Sequence, residues 1–210
     1  MSQDTPTLSA VEVGDIVHRQ ITKLQNGALA DRPAEVAALA KLRRAVGKPA
    51  GSHLDVLQYT LDETLLRPGI GDEPSFAEHA AHACITLYAL HQQAKTSPMH
   101  LRGEQRNFGR SVRRLTTPKL DSRDPVLRRF QVFGTSSSFE ELTYHARGLV
   151  QQLRAKSIAV DYHRLATQLY DWQFPGRAER VRLAWGREFY LHRPDNADEA
   201  EQTTTEHDEQ

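Results

Sequence analysis

Residues 136–155 read SSSFEELTYHARGLVQQLRA. Leu142, Ala146, Leu149, Val150 and Leu153 recur at spacings of three and four, which on a helix at 100° per residue gathers them into one stripe. The serine run with Glu140 and Glu141 supplies a start, because hydroxyls accept from the free amides of a first turn and acids there complement its dipole. Arg147 and Arg154 fall together, away from the stripe. A helix of this kind must bury its stripe against other elements, so the fold class turns on whether the neighbouring segments repeat the period.

They do, in both directions. Asp124 and Pro125 form an N-cap and first-turn pair for a helix ending at Gly134, and Asp161 caps another through Trp172. Pro175 and Gly176 break that helix, and a last one runs to about Leu191. Upstream, Ser9 with Glu12 and Ser75 with Glu78 are capping boxes. The first opens a helix with Val13, Ile16, Val17, Ile21 and Leu24 on one face, followed by a turn around Asn26 to Pro33. The second opens a long helix to about Gln93. Between them, a helix with Val36, Leu39 and Val46 inward and Lys41, Arg44 and Lys48 outward is ended by Gly47, Pro49 and Gly51. A short helix, Leu54 to Leu65, and a loop, RPGIGDEP, complete this half. No strand pattern or internal repeat emerges. The chain is expected to be all-α, with about eight to nine helices in two packed bundles. The polar stretch Thr116 to Arg123, with Pro118, suggests an N-terminal lobe over 1–116 and a C-terminal bundle over 117–194.

Charge is unevenly spread. The 27 Lys and Arg balance 27 Asp and Glu, yet residues 195–210, DNADEAEQTTTEHDEQ, hold seven acids and no Lys or Arg. That tail has little to bury and is expected to be disordered, beside a body of residues 1–194 with 27 bases against 20 acids. From Lys95 to Arg129 there are ten bases and three acids. Placed on one helix from Leu101 to Leu115, Arg102, Arg106, Arg110 and Arg113 share an 80° arc with Arg114 at its edge, opposite Phe108, Val112 and Leu115. A guanidinium stripe suits phosphate, since its planar fork donates paired hydrogen bonds and its charge cannot be titrated away. The alternative is a solvated basic face.

No run approaches the roughly 18 uncharged apolar residues of a membrane span, and MSQDTPTLSA lacks the regions of a signal peptide, so a soluble, cytoplasmic protein is expected. Cys84 is alone, in an apolar run, and reads as a small buried hydrophobe. Gly47-Lys48 resembles the end of a phosphate-binding loop, but Leu42 and Pro49 replace the required glycine and hydroxyl. In EHAAH, His79 and His82 are three apart with Glu78 before them, unlike a zinc-protease motif, and the default is a pair of surface histidines. Nothing resembles a flanked nucleophilic serine or paired catalytic carboxylates. No enzyme activity, cofactor or metal is expected.

Six strings, ALAKLRRAVGKPAGS (38–52), ITLYALHQQ (85–93), FGRSVRRL (108–115), RGLVQQLRA (147–155), DYHRLATQLYDWQ (161–173) and RVRLAWGREFY (180–190), resemble in that order the CasB family. CasB is the small subunit of the type I-E CRISPR surveillance complex, Cascade. Each string is a plain amphipathic helix, and the specificity lies in their order. The resemblance implies a non-catalytic, all-α subunit present in two copies. It implies contact with the backbone and large subunits, and with guide RNA, target DNA and the displaced strand once the R-loop forms. Base pairing reads sequence in such systems, so an accessory subunit needs only to grip the backbone.

Within the matching strings lie Lys41, Arg43, Arg44 and Lys48, and Arg110, Arg113 and Arg114. Arg43 points closer to the apolar face than Lys41 or Arg44 and is set aside as a snorkelling or paired residue. Arg102, Arg106, Arg128, Arg129, Arg147 and Arg154 join the candidates on charge and periodicity alone. Tyr170, Trp172, Trp185, Phe189 and Tyr190 read as core or partner-facing surface rather than a base-stacking platform. The tail is outside the resemblance and is either an inert solubiliser or a competitor that covers the basic face. Two other readings compete with nucleic-acid binding: a scaffold whose arginines dock an acidic protein surface, and a metal-dependent hydrolase using His79 and His82.

Overall fold

The computed structural model describes residues 8–66 and 72–191, and within them the chain is all-α. Nine α-helices run in the order α1 (Ala10–Leu29), α2 (Pro33–Arg44), α3 (Leu54–Thr60), α4 (Phe76–His91), α5 (Phe108–Arg113), α6 (Pro125–Gly134), α7 (Phe139–Ala155), α8 (Tyr162–Trp172) and α9 (Ala178–Tyr190). The acidic tail lies outside the described residues.

The caps form as their chemistry requires. Ser9 with Glu12 and Ser75 with Glu78 close reciprocal capping boxes. Asp124 Oδ1 accepts from the amides of Val126 and Leu127, and Ser138 caps α7 through Glu141. All five stripe residues of α7 are buried.

Two groups of helices share these faces. α1, α2, α4 and α8 pack together, most extensively between α1 and α8, and α5, α6, α7 and α9 form a second group joined to the first through α4 and α7. The groups interleave along the chain: α5 precedes residue 117 but packs on α9, and α8 follows it but packs on α1 and α4. One hydrophobic cluster runs through both. Its aromatic end joins α6 to α9, where Phe130 stacks on Phe189 at 4.4 Å and Phe133 meets Trp185 at 4.4 Å.

Several expectations are corrected. α1 continues to Leu29 instead of turning at Asn26, and α3 stops at Thr60, with a separate 3-10 turn at Glu63–Leu65. Val36 is 43% exposed instead of inward.

The largest departure is the arginine-striped helix over 101–115, which does not exist as one element. Residues 99–101 instead pair with Val160, which donates to the Met99 carbonyl at 3.0 Å while Leu101 donates back at 3.3 Å. Gly103 then takes φ +128°, a 3-10 turn covers Glu104–Arg106, and Asn107 is extended before α5. Backbone groups used in pairing cannot serve a helical ladder, and glycine alone adopts that φ without penalty.

Candidate nucleic-acid interface

Breaking the helix redistributes its arginines. Arg102 projects from the paired segment, with Nη2 3.5 Å from the His163 ring. Arg106 is half-buried and its carbonyl accepts from Asp161 at 2.7 Å. Arg110 pairs with Glu104 and sits near the buried Glu188. Glu188 accepts from the Gly109 amide at 3.2 Å and from Gln168 at 2.9 Å, and burial raises its pKa. Arg113 is 7% exposed. Its guanidinium donates to the Thr116 hydroxyl, to Thr117 O at 2.8 Å and to Pro118 O at 2.7 Å. Arg113 therefore closes the loop after α5 and is withdrawn as a phosphate ligand. Of the five expected stripe residues, only Arg102 and Arg114 stand exposed without a carboxylate partner among the described residues.

A denser cationic surface forms where α2, the end of α4 and α7 meet. Arg147 Nη1 lies 3.7 Å from where a Cβ on Gly47 would sit, which brings α7 against the turn carrying exposed Lys48. Gly47 adopts φ +74° to end α2, and this turn aims the Lys48 carbonyl at His82 Nε2, 3.1 Å away. Arg154, two turns after Arg147 on α7, donates to Gln93 Oε1 beyond α4. Lys95 Nζ donates to Ser157 Oγ at 2.9 Å.

Arg43 completes this surface. It is half-buried, and desolvation together with the nearby Arg154 charge lowers its pKa. No described carboxylate forms an ion pair with Arg43, Lys48, Lys95, Arg147 or Arg154, whereas Arg44 is turned to Asp55 at 3.6 Å. Lys41 is half-buried on the same helix as Arg44. The wheel angle of Arg43 leans toward the core, which argues against it in the sequence. In the fold, that lean is what brings it to α7. Lys95 follows the helix end and has no periodicity to mark it.

A third group lies on α6. Arg128 and Arg129 are exposed, on the side opposite Leu127, Phe130 and Phe133. Of the aromatic residues, Tyr170, Trp172, Trp185 and Phe189 are buried in the core, while Tyr190 is 51% exposed.

His79 and His82 line a cavity of about 500 Å³ with Phe76, Phe139 and Trp172, beside Lys48. His82 donates to a backbone carbonyl and His79 packs at 5.9 Å from the Phe139 ring. Among the described residues no group of three or more His, Cys, Asp or Glu is placed to hold a metal ion. Cys84 is fully buried, which pushes its thiol pKa far up. No helix among the described residues is long and apolar enough to cross a membrane.

The same fold occurs in solved structures. CasB from Thermobifida fusca is 36% identical, with a TM-score of 0.72, covering 84% of this chain and 97% of that one. CasB from Thermus thermophilus, at 24% identity and TM-score 0.62 over 85% and 98% of the two chains, shares the fold. So does a chain of a CRISPR RNA-guided surveillance complex, at 20% identity and TM-score 0.59 over 87% and 96%. No curated protein sequence matches. The family model of the CRISPR-associated protein Cse2 matches residues 38–190, which hold every helix from the second half of α2 to α9. With most of the chain matched, and with the likeness to Thermobifida fusca CasB, the protein belongs to the CRISPR-associated Cse2 family, that of CasB.

Proposed function

We propose that this chain is a non-catalytic subunit of the type I-E CRISPR Cascade complex that grips nucleic-acid backbone and stabilises the R-loop. The observation that carries the reading is the α2–α7 surface, where Arg43 and Arg154 repel each other with no carboxylate between them. Like charges held this way cost stability in the free protein, and a polyanion relieves the cost while releasing its own counterions. Family membership supports placement in the complex, beside its backbone and large subunits and a second copy of the chain. Guide RNA, target DNA and the displaced strand are the polyanions available there. Strand exchange is nearly balanced in energy, so a few phosphate contacts suffice to tip it. No cofactor is needed for such a role.

The test reverses Lys48, Arg147 and Arg154 together (Lys48→Glu, Arg147→Glu, Arg154→Glu) in the reconstituted complex. Assembly should survive while R-loop formation weakens, and the dependence on log salt should flatten by about 0.7–0.9 for each phosphate no longer neutralised. If the variant fails to join the complex, the basic face docks an acidic protein surface. Wild-type R-loop formation across a range of salt would mean the surface is merely solvated.

A further inference from the structure

The described chain ends at Leu191, one residue past α9, and that end rests on α6. Phe189 stacks on Phe130, and Gln131 Nε2 reaches the Tyr190 hydroxyl at 3.5 Å. One helical turn before Gln131 stands Arg128, with Arg129 beside it, and Arg187 lies one turn before the end of α9. All three are exposed, and none has an ion pair or side-chain hydrogen bond among the described residues. Other exposed or half-buried arginines do find a carboxylate, Arg19 with Asp62, Arg44 with Asp55, Arg110 with Glu104 and Arg177 with Asp171, whereas these three, like Arg102, Arg114 and the α2–α7 cluster, do not among the described residues. The α6 sequence PVLRRFQVFG holds no acid, and its capping Asp124 is spent on the Val126 and Leu127 amides.

Just beyond Leu191 the chain supplies the charge these three arginines lack, with seven acids and no Lys or Arg in residues 195–210. Asp195 is four residues past Leu191, hence within about 14 Å of it, and the sixteen residues to Gln210 span at most about 55 Å. Tethering of this length places the carboxylates at millimolar effective concentration around the end of α9. The family match stops at Tyr190, so the acidic segment lies outside the matched region.

We propose that Arg128, Arg129 and Arg187 form a docking ridge for the chain's own acidic segment, residues 195–210, which competes there with nucleic acid. The docking stands on geometry and charge alone. The competition rests on the nucleic-acid reading above.

The docking is read with a nitroxide on Thr204→Cys in the full chain. Cys84, fully buried with a raised thiol pKa, does not take the label. The reference is the same labelled chain with all seven tail acids changed to Asn or Gln. The acidic tail should broaden the amide resonances of residues 128–132 and 187 more than the reference does. The excess should vanish at about 1 M salt, where screening acts within about 3 Å, and in Arg128→Gln/Arg129→Gln/Arg187→Gln. Equal broadening by both tails, or an excess centred on Lys48 and Arg147, overturns the docking. For the competition, a single-stranded oligonucleotide at low salt should bind several-fold more tightly to a chain ending at Pro194. Docking with unchanged affinity overturns the competition. If neither chain binds the oligonucleotide, the nucleic-acid reading fails, while the label still decides the docking.

Discussion

At the scale of single residues, charge alone misleads about role. Arg113 and Arg114 are neighbours in FGRSVRRL with the same side chain, yet one is buried in a three-acceptor clamp and the other is exposed. Arg113→Gln leaves carbonyls of the loop after α5 unpaired and should cost roughly 2–4 kcal/mol, read as a shifted denaturant midpoint. Arg114→Gln should change stability by no more than about 0.5 kcal/mol, and equal effects of the two would refute the clamp. Nothing in the sequence separates them, because the acceptors on Thr117 and Pro118 face Arg113 only after the loop has turned back. The histidines are equally illegible. His100 Nδ1 lies 3.1 Å from the Tyr162 amide and 3.3 Å from Val160 O, and its Nε2 lies 2.8 Å from His18 Nδ1, so both ring nitrogens are engaged inside the fold. Burial first, and then the neighbouring His18 and Arg102, hold His100 at about 4, while burial holds His91 at about 3. Both are neutral in the folded chain and protonate near 6.5 when unfolded. Their contribution is therefore complete above about pH 6.5 and is lost as pH falls toward 4, at up to about 1.4 kcal/mol per pH unit for each histidine. The thermal midpoint should drop between about pH 7 and 5, before most carboxylates titrate, and His100→Gln should flatten the slope. A level midpoint across that range would show that the pair is not kept neutral.

Among the elements, helices with a complete set of signals are legible in the sequence and those defined by their neighbours are not. α7 has a serine cap, first-turn acids and five buried residues in register, and it folds as written. The segment 101–115 also has helical periodicity, but Gly103 and Asn107 interrupt it, and Val160 takes the backbone groups of Met99 and Leu101. Two arginine-rich turns, not one stripe, result. α5 is left with six residues and is held by contact with α9 at Gly109, where an added Cβ would sit 2.7 Å from the Trp185 carbonyl and 3.1 Å from the Phe189 amide. Gly109→Ala should push α5 away from α9 and cost about 1–3 kcal/mol despite the better helix propensity of alanine. Gly148, inside α7 with nothing within 4 Å of its added Cβ, gives the opposite expectation. There alanine should stabilise by about 0.5–1 kcal/mol, and opposite signs in parallel melts would locate the close approach. The most cationic surface also belongs to this scale. Arg43, Arg147 and Arg154 are far apart in sequence, and only the packing of α4 against both α2 and α7 gathers them.

For the molecule as a whole, the order of helices in space decides how it folds. The polar stretch 116–123 reads as a boundary because local sequence cannot report which helices will meet. In the structure, α8 supplies the partner for α1, α5 lies against α9, and one apolar cluster joins them. Separating the chain at residue 117 would leave Val13, Ile16, Val17 and Ile21 of α1 without Leu165, Ala166 and Leu169 of α8. It would also leave Trp185 and Phe189 of α9 without α5. At roughly 25 cal/mol per Å² of apolar surface, exposing faces of this size exceeds the 5–15 kcal/mol by which a domain is ordinarily stable. Fragments 1–116 and 117–210 should therefore each lack cooperative thermal unfolding, and mixing them should restore part of the helical signal. The intact chain should unfold in one transition, followed alike by far-ultraviolet circular dichroism and by tryptophan fluorescence from Trp172 and Trp185, both of which lie after residue 117. Two separated transitions, or a fragment that melts cooperatively alone, would restore the boundary at 117 and make the interleaving a docking of two independent lobes.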